Sequence, residues 1–334
     1  MDWQGKSIRI GTAGLAFAVL LRLSSAGAFT PVMDFLTSRS VAAVLLFMET
    51  GHVLREPQLT IQEETEAVHP TIDAPITEQI QPTQSVTVFA PDDAQLVEVN
   101  SVCGYAADVQ TWLSHPLSWE LKQEEPTVLI LHSHATESYQ NTEGYQASSS
   151  YRTQDTNYNM VSIGEAVKLF LESKGIRVIH DTALHDYPSY SNSYSNARAV
   201  AEQYLKEYPS IKLMLDLHRD AVTDSSGKQI KYTVNTSGGE AARLMLVVGT
   251  DAGGLSHAKW PENMSLAVKV HAQLEKICPG ICRPISFRTQ RFNQDLSTGA
   301  LLVEVGAAGN TRQEALLAAE YLGQAIFDLA NGTG

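Results

Sequence analysis

Three polar side chains directly follow one apolar run near the middle of the chain. Val128–Leu131 is strand-like, and His132, His134 and Glu137 come immediately after it. Imidazole nitrogens and carboxylate oxygens are common ligands of catalytic zinc, and the same groups serve as general acids and bases. The stretch therefore predicts a polar cluster at the C-terminal end of a buried strand, where an open α/β sheet binds its ligand.

Two later apolar runs have the same design. KLMLDLHRD carries His218, and ALLVEV carries Glu304. A lone glutamate in an apolar strand is costly unless it is paired or functional. Hydrolysis at zinc needs three protein ligands, an open position for water and a separate carboxylate as general base. His134 and His218 are candidate ligands, and Asp155, which precedes a helical pattern in RTQDTNYN, is a third. Glu304 is then the candidate base.

Strand-like and helical patterns alternate from about residue 124 onward. We predict strands at Val128–His132, Ile176–His180, Ile211–His218, Leu244–Gly249 and Ala300–Val305. We predict helices at Asn157–Ser173, Ser193–Tyr208, Pro261–Ile277 and Arg312–Leu329, the last with Thr311 as its N-cap. We interpret Asp224–Gly239 as a strand pair or as a segment that departs from the strand–helix alternation. The alternation predicts an α/β fold with a mostly parallel sheet flanked by helices.

The N-terminal region, residues 1–54, is typical of a membrane-directed segment. Ile10–Leu21 is uninterrupted and apolar, which is short for a membrane span and suits a signal peptide cleaved near Ala26–Ala28. Taken across its single arginine, Ile10–Met33 predicts instead an uncleaved anchor in the cell membrane. We favour the anchor. Either interpretation places the remainder of the chain outside the cytoplasm.

An acidic segment follows this region. The whole chain of 334 residues has a formal net charge of −13, and Arg55–Asn100 holds nine acidic residues and one basic residue. Such an acidic balance argues against nucleic acid as a partner. Because this segment is rich in Pro, Glu, Gln and Thr and poor in large apolar residues, it predicts a disordered linker over 55–123. The catalytic domain is then expected at 124–334.

The chain has three cysteines, Cys103, Cys278 and Cys282. Three cysteines do not make a disulfide framework. Cys278 and Cys282 are close enough in sequence for a local disulfide outside the cytoplasm, and two free thiols are the alternative.

Four longer stretches together resemble the stage II sporulation protein P family: VLILHSHATESY, DLHRDA, VVGTDAGGLSHAKWPENMSLA and RFNQDLSTGALLVEVGAAGNT. The resemblance extends from about Thr127 to Leu329. It implies a membrane-anchored cell-wall hydrolase of endospore formers, active in engulfment at the sporulation septum. The family's domain is related to the zinc-dependent N-acetylmuramoyl-L-alanine amidases. The cofactor implied is Zn²⁺, the substrate is peptidoglycan, and the partners are stage II sporulation proteins D and M.

The same resemblance implies roles for individual residues. His134, Asp155 and His218 fall at the positions of the amidase metal ligands, and Glu304 falls at that of the catalytic carboxylate. The implied reaction is hydrolysis of the amide that joins the stem peptide to the glycan, with endopeptidase cleavage of cross-links as a second activity.

Two of these ligands have rivals. The amidases have Glu where this chain has Asp155, and Glu137, three residues after His134, is the rival carboxylate. His132 is the rival of His134. In a continuing strand these two histidines share one face, so that one could bind metal while the other contacts substrate.

Cationic residues are candidates for binding the substrate. Arg288 and Arg291 in PISFRTQRFNQ could bind peptide carboxylates, or instead pair with nearby Asp295 in a solvated loop. Arg219 or His132 could steady the oxyanion of the reaction.

Two other function classes stay open. One is a zinc peptidase that cuts only peptide cross-links, and the other is a peptidoglycan-binding scaffold without turnover. A buried Glu304 favours an enzyme, because a scaffold has no reason to bury a carboxylate.

Overall fold

A mixed sheet runs through the part of the chain that the computed structural model describes, residues 89–117 and 119–332. In chain order the strands are β1 (Val99–Ser101), β2 (Val128–Leu131), β3 (Val178–His180), β4 (Leu213–Asp220), β5 (Thr233–Thr236), β6 (Gly239–Ala242), β7 (Leu244–Val248), β8 (Ile285–Phe287) and β9 (Ala300–Ala307). Seven of them form the sheet in the order β1-β8-β7-β9-β4-β2-β3, and β5 and β6 pair separately as a hairpin.

Five helices accompany these strands in the described residues. They are α1 (Val109–Ser114), α2 (Met160–Ser173), α3 (Ser193–Glu207), α4 (Trp260–Ile277) and α5 (Arg312–Ala330). The predicted N-cap of α5 is confirmed, since Thr311 accepts a hydrogen bond from the backbone N–H of Glu314 in a capping box. Helix α2 ends at Ser173, and Gly175 just beyond it has a φ of +82°, a left-handed conformation that favours glycine.

The predicted α/β architecture, with a mostly parallel sheet flanked by helices, is confirmed. All neighbouring strands of the large sheet are parallel except β7 and β9. β7 follows directly from the β5–β6 hairpin and not from a crossover helix, so it can run against β9. In that antiparallel pair Met245 lies opposite Glu304, and in the parallel pair of β4 and β9 His218 lies opposite Glu304.

The two faces of the sheet are covered unequally. One face packs against α2, α4 and α5, and on β9 this face carries Leu301, Val303 and Val305. On the other face α3 packs over residues of β2 and β4 that include Met214. Side chains alternate along a strand. Asp216 and His218, two and four residues after Met214, therefore project to the α3 side. Glu304, between Val303 and Val305, projects to that side as well.

The folded unit begins earlier than residue 124, so the linker prediction for 55–123 is wrong in its C-terminal part. A 3₁₀ turn at Pro91–Leu96, strand β1 and helix α1 all precede that residue. Trp112 and Leu121 are buried in the main core, and β1 is an edge strand of the large sheet, paired with β8. A few large apolar side chains thus hold a segment whose average composition predicts disorder.

The predicted membrane anchor and the linker as far as residue 88 lie outside the described residues. Among residues 89–117 and 119–332, no helix is both long enough and apolar enough to cross a membrane. Cys103, Cys278 and Cys282 are all free thiols in this part of the chain.

Candidate metal centre

Three of the residues predicted as metal ligands or their rivals converge where β2 and β4 end. One ligand atom each from His134, Glu137 and His218 lies within 4.8 Å of the others. The chain turns after β2, where the Glu137 N–H donates to the carbonyl of His134 at 3.1 Å, and so the two side chains lie together. His218 reaches them from β4, which runs parallel beside β2.

The donor atoms lie close enough together to share one small ion, with each oxygen of Glu137 near one histidine. His134 Nδ1 lies 3.5 Å from Glu137 Oε1, and His218 Nδ1 lies 3.6 Å from Glu137 Oε2. Bonds of about 2.1 Å in a tetrahedral zinc site place neighbouring donor atoms roughly 3.4 Å apart. Two imidazoles and one carboxylate beside a cavity are also a donor set that catalytic zinc uses. These residues therefore fit the metal that the sequence predicted.

Two arginines hold Glu137 as a carboxylate. Arg152 donates to Glu137 Oε1 at 3.2 Å, and the backbone N–H of Arg219 donates to Oε2 at 3.2 Å. Burial alone would raise the pKa of Glu137, but the hydrogen bond from His134 and the charges of Arg219 and His218 lower it to about 2. Glu137 is thus ionised and oriented before any cation arrives.

Asp216 stands behind His218. Its Oδ1 lies 2.8 Å from His218 Nε2, an ion-pair distance without hydrogen-bond geometry. Asp216 also accepts hydrogen bonds from the backbone and hydroxyl of Ser133, at 2.8 and 2.6 Å. Burial lowers the pKa of His218, but Asp216 and Glu137 outweigh burial and raise it to about 9. A carboxylate behind a histidine orients the ring, leaving its other nitrogen to face a metal.

Glu304 lies beside these donors but is not one of them. It is opposite His218 in the register of β4 and β9, and both line a cavity of about 220 Å³. Its Oε2 is buried, with no hydrogen-bond partner among the described residues. Burial, with the nearby charges of Glu137 and Asp220, raises the pKa of Glu304 to about 8. A carboxyl group of this kind can both take up and release a proton near neutral pH.

Aromatic residues form the rim of the site. The His134 ring stacks on Tyr190 with centroids 4.6 Å apart and meets Tyr194 edge-on at 5.3 Å. Tyr194 and Phe292 line both the cavity and an adjoining groove of about 360 Å³. The polar centre therefore opens into an aromatic-lined depression large enough for an extended ligand.

The predicted cationic residues take different positions. Arg288 is exposed and lines the cavity, and no carboxylate pairs with it among the described residues. Arg291 lines the groove and pairs with Asp295 at 3.1 Å, as one of the two sequence readings predicted. Arg219 is buried, and its guanidinium donates to the backbone carbonyls of Ser138 and Tyr151. Arg219 therefore supports the loop that carries Glu137, and its role in binding substrate stays a prediction.

The structure does not bring Asp155 to the other donors. Asp155 is exposed, and its Oδ1 accepts hydrogen bonds from the backbone and side-chain N–H groups of Asn157, at 3.0 and 2.8 Å. Helix α2 begins five residues later, with Asn159 as its N-cap. The Asp155 carboxylate thus closes a turn before the helix, and the role of Asp155 as a ligand stays a prediction.

His132 and His134 do not share a face, contrary to the expectation for a continuing strand. Strand β2 ends at Leu131, and the chain turns immediately afterwards. His132 lies against α2, fully buried, with Nδ1 3.0 Å from the Leu217 carbonyl and Nε2 2.9 Å from His180 Nε2. Burial, and then the charge of His180, lowers its pKa to about 3. His132 is therefore a neutral residue of the core on the far side of the sheet from His218.

Sequence reasoning missed several residues of the site. Asp216 carried the same signal as Glu304, an acid isolated in an apolar strand, and could have been found by the same rule. Arg152, Tyr190 and Tyr194 come from loops and a helix start, where no periodic pattern points inward. Only the folded chain brings Arg152 to Glu137 and the two tyrosines to His134.

Comparison with known proteins agrees with the resemblance that the motifs carry. Residues 49–327 match the sequence profile of "Stage II sporulation protein P (SpoIIP)". This chain belongs to the stage II sporulation protein P family. Stage II sporulation protein P of Bacillus subtilis (strain 168) is 27% identical over 202 residues, which cover 57% of this chain and 48% of that protein. The match thus spans about half the length of that relative.

Solved structures with a similar fold include N-acetylmuramoyl-L-alanine amidases. AmiC2 of Nostoc punctiforme is 15% identical, with a TM-score of 0.35 over 62% of this chain and 94% of the amidase. The CwlD amidase from Clostridioides difficile, solved in complex with the GerS lipoprotein, is 14% identical, with a TM-score of 0.37 over 62% and 95%. Both scores are low, so the chemistry of this chain has to be inferred from its own side chains.

Proposed function

We propose that this family member is a zinc-dependent peptidoglycan hydrolase, an N-acetylmuramoyl-L-alanine amidase that also cleaves peptide cross-links. The observation that carries the proposal is the convergence of His134, Glu137 and His218 within 4.8 Å, with Glu304 beside them in the same cavity. Ligands and base come from separate elements, as in other hydrolytic zinc sites. Membership of the stage II sporulation protein P family supports a substrate in the cell wall.

We favour Glu137 over Asp155 as the carboxylate ligand. Glu137 is buried and lies 3.5 to 3.6 Å from one nitrogen of each histidine, whereas Asp155 is exposed and closes a turn. A zinc ion held there would supply Lewis acidity and a bound water of lowered pKa. Asp216 would keep His218 oriented toward that ion, since outer-sphere carboxylates fix the ring of a metal-bound histidine.

The remaining chemistry belongs to the chain itself. Glu304 accepts a proton from the attacking water and delivers it to the leaving amine. The cavity suits this role. Burial raises the proton affinity of Glu304, and its Oε2 has no hydrogen-bond partner among the described residues that would compete for the proton. The exposed guanidinium of Arg288 lies at the same cavity and can donate to a carboxylate or carbonyl of the stem peptide.

The groove beside the cavity supports a polymeric substrate. Tyr194 and Phe292 border both depressions, so a chain that reaches the metal centre can continue along the groove toward Leu255. Leu255 is exposed, and aromatic and aliphatic surfaces of this kind bind sugar and peptide faces. We further propose that the N-terminal region anchors the protein in the membrane with this domain outside the cytoplasm. The proposed partners, in engulfment, are stage II sporulation proteins D and M.

The test is digestion of purified sacculi with the full-length chain, followed by muropeptide analysis by mass spectrometry. We expect free stem peptides, glycan strands with bare muramoyl groups and some cleaved cross-links. His134→Ala should lose the zinc of the His134, Glu137 and His218 site together with all products. Cleaved cross-links alone would identify a peptidase instead. Binding to sacculi without any product, from zinc-loaded protein, would identify a scaffold and reject the proposal.

A further inference from the structure

A second group of metal-binding side chains lies at the end of helix α4. One ligand atom each from His271, Glu275 and Cys282 lies within 4.8 Å of the others. His271 and Glu275 are four residues apart and so share one face of the helix. The helix ends at Ile277, and the chain then reverses to bring Cys282 back beside its last turns.

Glu275 fixes this reversal. Its Oε2 accepts the backbone N–H of Gly280 at 2.7 Å, and its Oε1 accepts the N–H of Cys282 at 2.8 Å. Gly280 has a φ of +85°, a left-handed conformation that the tight turn requires. Each carboxylate oxygen keeps a second lone pair after these bonds. The thiol of Cys282 donates to the backbone carbonyl of His271 at 3.9 Å, which holds the sulfur beside the helix.

The hydrogen bonds that close this reversal do not account for the buried imidazole of His271. The side chain is buried, with 2% of its surface exposed, and its Nδ1 has no hydrogen-bond partner among the described residues. A backbone hydrogen bond joins the same ring to Leu96. One ring nitrogen tied to a carbonyl, with the other free, is the usual arrangement of a metal-bound histidine.

The group is independent of the proposed active site. Cys282 packs in the core formed with α2, α4 and α5, on the same side of the sheet as Val303 and Val305. Glu304, between those two valines, projects to the opposite side. The sheet itself therefore separates the two groups of ligands.

We infer that His271, Glu275 and Cys282 form a second cation site, one suited to zinc. Sulfur, nitrogen and oxygen donors together select a borderline ion such as Zn²⁺ over Mg²⁺ or Ca²⁺. On binding, the Cys282 thiol releases its proton to solvent and the thiolate bonds to the ion. The ion would join the end of α4 to the segment that leads into β8, the strand after which Arg288 reaches the catalytic cavity.

Cobalt(II) tests this site separately from the catalytic one. A thiolate bound to Co²⁺ gives a charge-transfer band in the near ultraviolet, and His134, Glu137 and His218 contain no sulfur. Full-length protein stripped of metal and titrated with Co²⁺ should therefore show this band. Cys282→Ser should abolish it. Cys278→Ser is the matched control, a buried cysteine of the same turn outside the ligand group, and should keep the band.

Two further measurements keep the result unambiguous. His134→Ala should keep the thiolate band while it loses hydrolysis, since it removes only the first site. Far-UV circular dichroism should show that Cys282→Ser is folded. If Cys282→Ser is unfolded, His271→Gln, which keeps the thiol, replaces it as the test. In that variant the cobalt affinity obtained by titrating the band should fall by at least tenfold. Absence of the band in saturated wild-type protein, or its persistence in Cys282→Ser, would overturn the inference whatever the hydrolytic activity.

Discussion

Replacement of Glu304 by Gln should abolish turnover and, at alkaline pH, stabilise the metal-free protein. Glutamine keeps the shape of the side chain but cannot accept a proton. Because general acid–base catalysis typically contributes on the order of a hundred- to ten-thousand-fold, we expect hydrolysis of peptidoglycan by zinc-loaded protein to fall by about that factor. Bound zinc should stay at the wild-type level, because Glu304 is outside the group formed by His134, Glu137 and His218.

The effect on stability follows from the raised pKa of Glu304. The unfolded chain releases this proton near the usual value of 4.5, whereas the folded protein holds it to about 8. Between these values the folded state binds more protons, so the free energy of unfolding falls as pH rises through this window. Each pKa unit is worth about 1.36 kcal/mol, which gives a loss on the order of 5 kcal/mol above pH 8 as an upper bound. Solvent at the cavity reduces this figure.

The assay is urea unfolding of chelator-treated wild type and Glu304→Gln at about pH 4.5 and pH 8.5. At the lower pH we expect similar free energies of unfolding, because Glu304 is then protonated in the folded state and about half protonated in the unfolded chain. At the higher pH the variant should be more stable by up to several kcal/mol. Other titrating groups act in both proteins, so they largely cancel in the difference. Equal stability at pH 8.5 would refute the claim that Glu304 is desolvated, and retained hydrolysis would refute its role as the base.

Three further predictions concern the surroundings of the site. Glu137→Gln should lose the zinc of the His134 and His218 site while Asp155→Ala keeps it, seen by elemental analysis as a fall in zinc content relative to wild type, and the reverse result would return the third ligand to Asp155. Asp216→Asn should lower zinc affinity by about 10- to 100-fold in competition with a chelator, since it removes the carboxylate behind His218; unchanged affinity would deny that role. Thr311→Ala should cost about 1 kcal/mol in urea unfolding by loss of the α5 cap, with hydrolysis unchanged. A loss of activity in that variant would indicate a coupling that the structure does not contain.

The sequence by itself determined the main elements and the faces of the strands that carry polar groups. Predicted and observed bounds of the four long helices differ by three residues or fewer, because apolar periodicity, caps and glycine are local signals. His218 and Glu304 could be assigned to buried strands for the same reason. Alternation along a strand also decides their side, so two polar residues in apolar runs were enough to mark one face of the sheet.

Only the tertiary structure decided which carboxylate joins the two histidines. Glu137 and Asp155 are both acids in polar loops near His134, and no local pattern separates them. Arg152, 15 residues further along, and Arg219, 82 residues further along, hold Glu137 in place. The short strands β1 and β8 and the reversed β7 were also decided by the fold, as three to five residues carry too little periodicity to predict pairing. The positions of the donor atoms depend on loop contacts and strand pairings between residues far apart in sequence. These interactions form only when the sheet is assembled, so no local sequence pattern contains them.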